Sequence, residues 1–286
     1  MLALLAVSVF AASFNSILLH RAKLGRGKSV FLFHLLCSAV WCVCLLLVNG
    51  GRLHLERDVL FWGVIYGIVQ ALFIFFKAKA MSEGPVCITT LIGNCSLLVS
   101  VFVCLLIWHE PISLADGIGL ALLTVGILLS TYKRSGGQFS KRWLIYAVLF
   151  LALGAGVGIV FKAFAKAGST RAGDMMLVAA LVMLVLYVLL YLLGGPQRTD
   201  APKDHQSARA FLLTALFSGL LSCAYNRLNI YLSGKMIATV FFPGFNGGVV
   251  VLSTLFGIWI LRERAYPRQY AGILLGLAGI CIIGIL

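Results

Sequence analysis

Residues Leu105-Leu106-Ile107-Trp108-His109-Glu110-Pro111 end a long apolar segment on an acid and a proline. Residues Ile258-Trp259-Ile260-Leu261-Arg262-Glu263-Arg264 end another in much the same way. Glu110 and Glu263 stand 153 positions apart in a chain of 286 residues. A unit that occurs twice would write its ending twice.

Composition narrows what that unit can be. The chain is 61% hydrophobic and 11% charged, with a mean hydropathy of +1.03. Soluble domains are nearer half apolar and a quarter charged. One soluble core could not bury this much apolar surface. The charges fall between apolar blocks of about 17–25 residues, each long enough to cross ~30 Å of hydrocarbon as a helix. Unbroken runs of this length exclude a barrel, whose strands alternate polar and apolar residues. Ten spans are expected: 1–19, 29–48, 59–77, 85–108, 112–132, 143–163, 172–193, 208–233, 237–261 and 268–286. The first does not read as a cleaved leader, because His20, Arg21 and Lys23 follow it and no basic residue precedes it. The longest polar stretch is Gly194 to Arg209, and a basic connection with Gly136 and Gly137 crosses the middle of the chain.

Sliding the chain by 153 lays Glu110 on Glu263, Gly119 on Gly272 and Gly126 on Gly279. Sliding the first span by 143 lays Lys23 on Lys166. The organisation expected is a first repeat over 1–132, a linker over 133–142 and a second repeat over 143–286. Five helices per half is an odd number, so the second half crosses the membrane in the opposite sense. The fold class expected is therefore an all-α membrane protein of ten transmembrane helices in two inverted five-helix repeats, an arrangement that encloses a midplane site in secondary transporters. Glu110 and Glu263 are expected at the membrane surfaces, stopping one helix and starting the next, with proton binding as the alternative.

These features resemble the drug/metabolite transporter superfamily in its EamA-like branch. The resemblance lies in Gly84-Pro85 before the fourth span, Trp108-His109-Glu110-Pro111, and Gly119 with Gly126 in the fifth. In the second half it lies in Pro243, Arg262-Glu263-Arg264, Gln269, Gly272 and Gly279. It covers the whole chain and specifies fold rather than substrate, since members move amino acids, metabolites, drugs, nucleotide sugars or sugar phosphates.

Polar residues within spans face the bundle interior, where they bind a solute or join helices. In the eighth span Ser222, Asn226, Asn229 and Ser233 form one helix stripe, with Arg227 about 100° round from Asn226. Asparagines there would offer donors and acceptors to a polar solute, or the stripe would admit a close neighbouring helix. The ninth span holds Phe242-Pro243-Gly244-Phe245-Asn246-Gly247-Gly248, which weakens the helix and frees backbone groups. The shift sets Thr89, Thr90, Gly93 and Asn94 opposite it, so two related helices weaken at equivalent depth. Asn94, Thr90, Asn226, Arg227, Asn229 and Asn246 are expected to contact solute, with Pro243 and Gly247 shaping the break. Asn15, His34, Tyr66, Gln70 and Lys77 are further candidates.

All nine acids sit at helix ends or in loops. A pump that exchanges protons for cationic drugs needs a carboxylate deep in the membrane, so that function is disfavoured. Lys77, Lys162 and Arg227 favour a neutral, zwitterionic or anionic solute. Of the remaining cations, 15 lie in odd-numbered loops and five in even-numbered loops. That bias sets the odd loops in the cytoplasm, whereas the resemblance implies both termini inside, and the orientation stays open. The net charge of +14 speaks for loops and anionic lipid, not nucleic acid.

The eight cysteines lie in expected helices without metal-ligand spacing. Gly154, Gly156 and Gly158 lie in a span with no strand before them, so they are no nucleotide fingerprint. No cofactor, metal or catalytic cluster is expected, and the protein is not read as an enzyme. The function expected is a secondary transporter, an exporter of a small polar metabolite in a bacterial plasma membrane, acting as monomer or homodimer in the lipid bilayer. A lipid or lysolipid flippase and a non-transporting receptor or assembly partner are the alternatives.

Overall fold

The structure, a computed structural model, describes residues 1–21, 28–84, 86–131, 140–168, 171–193, 208–260 and 266–285. Pro85, the linker glycines, and Arg262, Glu263 and Arg264 lie outside the described residues. Among those described, every regular element is helical. They are α1 (Leu2–Arg21), α2 (Lys28–Val48), α3 (Arg57–Glu83), α4 (Val86–Asn94), α5 (Ser96–Trp108), α6 (Leu114–Thr131), α7 (Lys141–Lys166), α8 (Ala172–Leu193), α9 (Ala208–Lys235), α10 (Ala238–Phe242), α11 (Gly248–Ile260) and α12 (Pro267–Ile285). A π-helical turn, Pro243–Gly247, joins α10 to α11. Eight helical stretches are long and apolar enough to cross a membrane, counting α4–α5 and α10–α11 as one each. Two shorter apolar helices, Leu114–Ser130 and Pro267–Ile283, accompany them. Exposed side chains such as Phe10, Phe61, Phe102, Leu216 and Phe217 give the bundle an apolar exterior, as hydrocarbon demands.

Helix ends follow from local chemistry. His109 takes a left-handed conformation (φ 49°) that stops α5, and Pro111 bars its continuation. Asp116 then reaches back to the Ser113 N–H at 2.9 Å while the Ser113 hydroxyl accepts from Asp116 N–H at 3.0 Å. This reciprocal cap starts α6. At the start of α12, Gln269 Oε1 accepts from the Tyr266 N–H at 2.9 Å. Ser113 and Asp116 shifted by 153 are Tyr266 and Gln269, so the backward bond from the side chain three residues on recurs at both helices, without the reciprocal hydroxyl at α12.

Packing repeats this correspondence. α3 packs on α7 and α8, and α9 packs on α1 and α2. α5 lies against α7, and α11 against α1. α6 and α12 pair with each other through glycines. A Cβ added to Gly126 would meet Gly272 O at 2.7 Å, and one added to Gly272 would meet Gly126 O at 2.7 Å. Gly119 and Gly279 oppose each other in the same way, at 2.8 and 2.5 Å. Backbones this close require residues without side chains, the small-residue packing of membrane helices.

Both expected weak points are broken helices. α4 yields to α5 at Cys95, whose N–H reaches Leu91 O and Ile92 O at 3.1 Å. Pro243 cannot donate to the helical ladder, and the chain widens into the π turn that ends at Gly247.

Candidate functional site

A cavity of about 650 Å³ lies between α1, α2, α3, α4, α7, α8, α9, the π turn and α11. That volume is within the range of small-molecule sites. Each of the first four helices contributes from the end nearest an odd-numbered loop: Asn15 and Leu19 of α1, His34 of α2, Lys77 and Met81 of α3, Thr90 of α4. The cavity therefore reaches toward the odd-loop end of the bundle.

Seven of the twelve residues expected at the site line it: Asn15, His34, Gln70, Thr90, Asn94, Asn226 and Asn246. Asn226 Nδ2 donates to Ser222 O at 2.8 Å and Asn246 Nδ2 to Phe242 O at 3.2 Å, which leaves each carboxamide oxygen as the group for a further contact. Asn15 is 6% exposed, and its Oδ1 has no hydrogen-bond partner; Gln70 Oε1 is likewise buried and unpartnered. Asn15 and Asn226 both reach the Tyr225 hydroxyl.

The other five lie elsewhere. Asn229 does not face the cavity: its Oδ1 accepts from the Ser8 hydroxyl at 2.6 Å and joins α9 to α1. The polar stripe of α9 thus has two parts. Ser218, Ser222 and Asn226 face the cavity, and Asn229 and Ser233 lie beyond its floor. Arg227 is exposed on the outer face of α9, in the stripe that carries Phe217, Leu220 and Tyr231. It lies two turns from the helix end, within reach of the interface for a long side chain. Tyr66 is fully buried in the core with its ring 4.8 Å from that of Phe161. Pro243 and Gly247 are buried and shape the π turn from behind the wall, Gly247 against Leu123.

The spacing rules did not single out three lining aromatics, Trp41, Tyr187 and Tyr225. Trp41 completes a face of α2 with His34, Cys37 and Ser38, and its Nε1 donates to Ser222 Oγ at 2.9 Å. The i, i+3, i+4, i+7 spacing from His34 was the available signal. Tyr187 lies with its ring 5.8 Å from that of His34.

Ionic contacts concentrate at the opposite end. The pairs His54–Asp174, Lys162–Glu110, Lys166–Glu110 and Arg171–Glu56 all lie at the even-loop end. Lys162, 1% exposed, places its ammonium 2.7 Å from Glu110 Oε1 and donates to Met236 O at 2.7 Å. Lys166 approaches the same oxygen at 3.7 Å. Glu110 Oε2 accepts from the Ala238 N–H at 2.6 Å, capping the start of α10. Glu110, expected to start the next helix in sequence, caps α10 instead, while Ser113 and Asp116 start α6. Nearby, Asn49 Nδ2 donates to Asp174 Oδ1 at 2.9 Å and Arg171 pairs with Glu56 at 3.2 Å. The cavity wall holds no carboxylate among the described residues, and Lys77 is its formal cation.

An apolar helical bundle around a solute-sized cavity lined by carboxamides, hydroxyls and one lysine, with buried charge at its other end, suits a membrane protein of the transporter class. The chain belongs to the sugar transport protein family, which it matches over residues 6–286. The EamA-like branch expected from the motifs is not the family matched. A protein of Haemophilus influenzae, described as uncharacterized, is 24% identical over 219 residues, which cover 75% of this chain and 72% of that one. A solved crystal structure with a TM-score of 0.76 and 14% identity covers 99% of this chain and is itself covered to 96%, a likeness of fold.

Proposed function

We propose that the protein is a secondary transporter of a small hydroxyl-rich solute, a sugar, which it moves by exposing the cavity alternately at two ends of the bundle. The observation that carries this reading is the cavity itself: a largely apolar wall that carries carboxamides, hydroxyls and one lysine, free of carboxylates among described residues, and set between helices from both ends of the chain. The missing carboxylates speak against a cationic solute, and the carboxamides and hydroxyls suit one that both donates and accepts hydrogen bonds. Family membership supports the sugar class.

The ten apolar helices form two five-helix repeats of opposite sense, over 1–132 and 143–286. The support is the matched helix pairing, the glycine crossing and the caps that recur after 153 residues. Inverted repeats provide two equivalent ends, so the closed end can open as the other closes. In the conformation described, Glu110, Lys162 and the start of α10 lock the even-loop end. Alternation requires that lock to release.

The experiment is flux of radiolabelled pentoses and hexoses into liposomes holding the purified protein. Saturable, protein-dependent flux is expected, with Asn15→Ala combined with Asn226→Ala lowering it by about tenfold or more in a protein that stays folded. Unaltered flux in that double variant would sink the assignment of this cavity.

A further inference from the structure

We propose that the cavity selects an acidic sugar, a monocarboxylate of the uronate or aldonate type, whose carboxylate meets Lys77. The proposal rests on the transport reading above and names the solute class of that same cavity.

The cations divide cleanly. Lys162 and Lys166 meet Glu110, and Arg171 meets Glu56. Arg227 lies on the outer face of α9. Lys77 alone among these lines the cavity, and no carboxylate shares the wall with it among the described residues. A cation in a low-dielectric wall without a counter-charge attracts an anion strongly. It is held by a continuous face of α3, because Gln70, Phe73, Ile74 and Lys77 follow i, i+3, i+4, i+7 and all line the cavity.

The rest of the wall specifies what the anion carries. Asn15 Oδ1 and Gln70 Oε1 are buried acceptors without partners. They call for donors, and a row of hydroxyls supplies them. Trp41, fixed by its bond to Ser222, adds an aromatic side chain to the wall, a group suited to the apolar side of a sugar ring. The number of charges selects the acid: one lysine balances one carboxylate, whereas a phosphate ester brings a charge of about −1.5 to −2 and would want a second fixed cation. His34 and Cys37 of α2, Tyr187 of α8 and Tyr225 of α9 are the other titratable groups that share the wall with Lys77.

The test is counterflow in proteoliposomes with labelled hexuronate, hexose and hexose 6-phosphate offered separately to the wild-type protein. Hexuronate flux should exceed hexose flux by about tenfold or more, the value of one charge-assisted hydrogen bond. Lys77→Met should bring the uronate-to-hexose ratio near one, and Lys77→Arg should keep it high. Preference for neutral hexose would overturn the acidic solute and leave the transporter reading standing. Preference for the 6-phosphate would overturn the single-charge argument. A high ratio retained in Lys77→Met would remove Lys77 from the site. Absence of flux for all three would overturn this proposal together with the sugar reading.

Discussion

The ammonium of Lys162 lies 2.7 Å from one carboxylate oxygen of Glu110, while the other oxygen holds the Ala238 N–H at 2.6 Å. Three segments, the end of α5, the last turns of α7 and the start of α10, therefore depend on one acid. Removing Lys162 leaves a buried carboxylate with less counter-charge. Lys162→Met should cost ~3–5 kcal/mol, the usual penalty for breaking a buried pair, read as a lower melting temperature in detergent. Adding Glu110→Gln should recover most of that loss. The amide still accepts from Ala238, and no unpaired charge remains. A double variant less stable than either single would show that the pair is not the relevant contact.

Asn226 and Asn229 are three residues apart on one stripe, yet they should behave differently. Asn226→Ala with Asn15→Ala should lower flux by about tenfold or more through lost solute contacts. Asn229→Ala should leave the apparent solute affinity in place. It removes the bond from Ser8 and should lower stability by about 0.5–1.5 kcal/mol. Equal loss of affinity in both would place Asn229 in the cavity wall.

Arg227 offers a sharper contrast, because charge alone would put it in the site. Its exposed position on the outer face of α9 means that Arg227→Ala should keep solute selectivity. A selectivity profile altered as much as that of Lys77→Met would contradict this placement.

Gly126 and Gly272 meet backbone to backbone, leaving no room for a β-carbon. Gly126→Val should separate α6 from α12 at a cost of at least ~1–3 kcal/mol for overpacking. Gly117, which has open space around it, is the control: Gly117→Ala should leave the melting temperature unchanged or raise it. Equal melting temperatures for Gly126→Val and the wild type would mean that the crossing is not tight.

Much of this was legible from periodicity. Apolar runs located the helices, and Pro243 with its glycines located the π turn. The shift of 153 picked out the four glycines of the α6–α12 crossing, although those that meet are Gly126 with Gly272 and Gly119 with Gly279 rather than the shift-related pairs. Depth and facing were harder to read. The α9 stripe is continuous in sequence, but α1 crosses its lower part, so Asn229 meets Ser8 where Asn226 meets the cavity. Arg227 is one residue from Asn226 and still shares a face with Phe217 and Leu220, since 100° suffices to turn from cavity to exterior. Lys162 was read as a solute-facing cation because its partner, Glu110, sat at an apparent helix terminus. Trp41, Tyr187 and Tyr225 were overlooked because an aromatic in an apolar helix offers no contrast. Glu263, half of the match on which the two-repeat reading opens, lies outside the described residues.

The crossing of α6 and α12 has one more implication. Gly126 touches Gly272, and Gly119 touches Gly279. Exchanging the halves turns each contact into the other. This is the geometry of an isologous dimer interface, in which one surface meets its own copy. Such a surface serves both copies at once, so a change in either glycine damages the joint. Cavity positions carry no such constraint: the lining residues Thr90 and Asn94 correspond under the same shift to Pro243 and Gly247, which lie behind the wall.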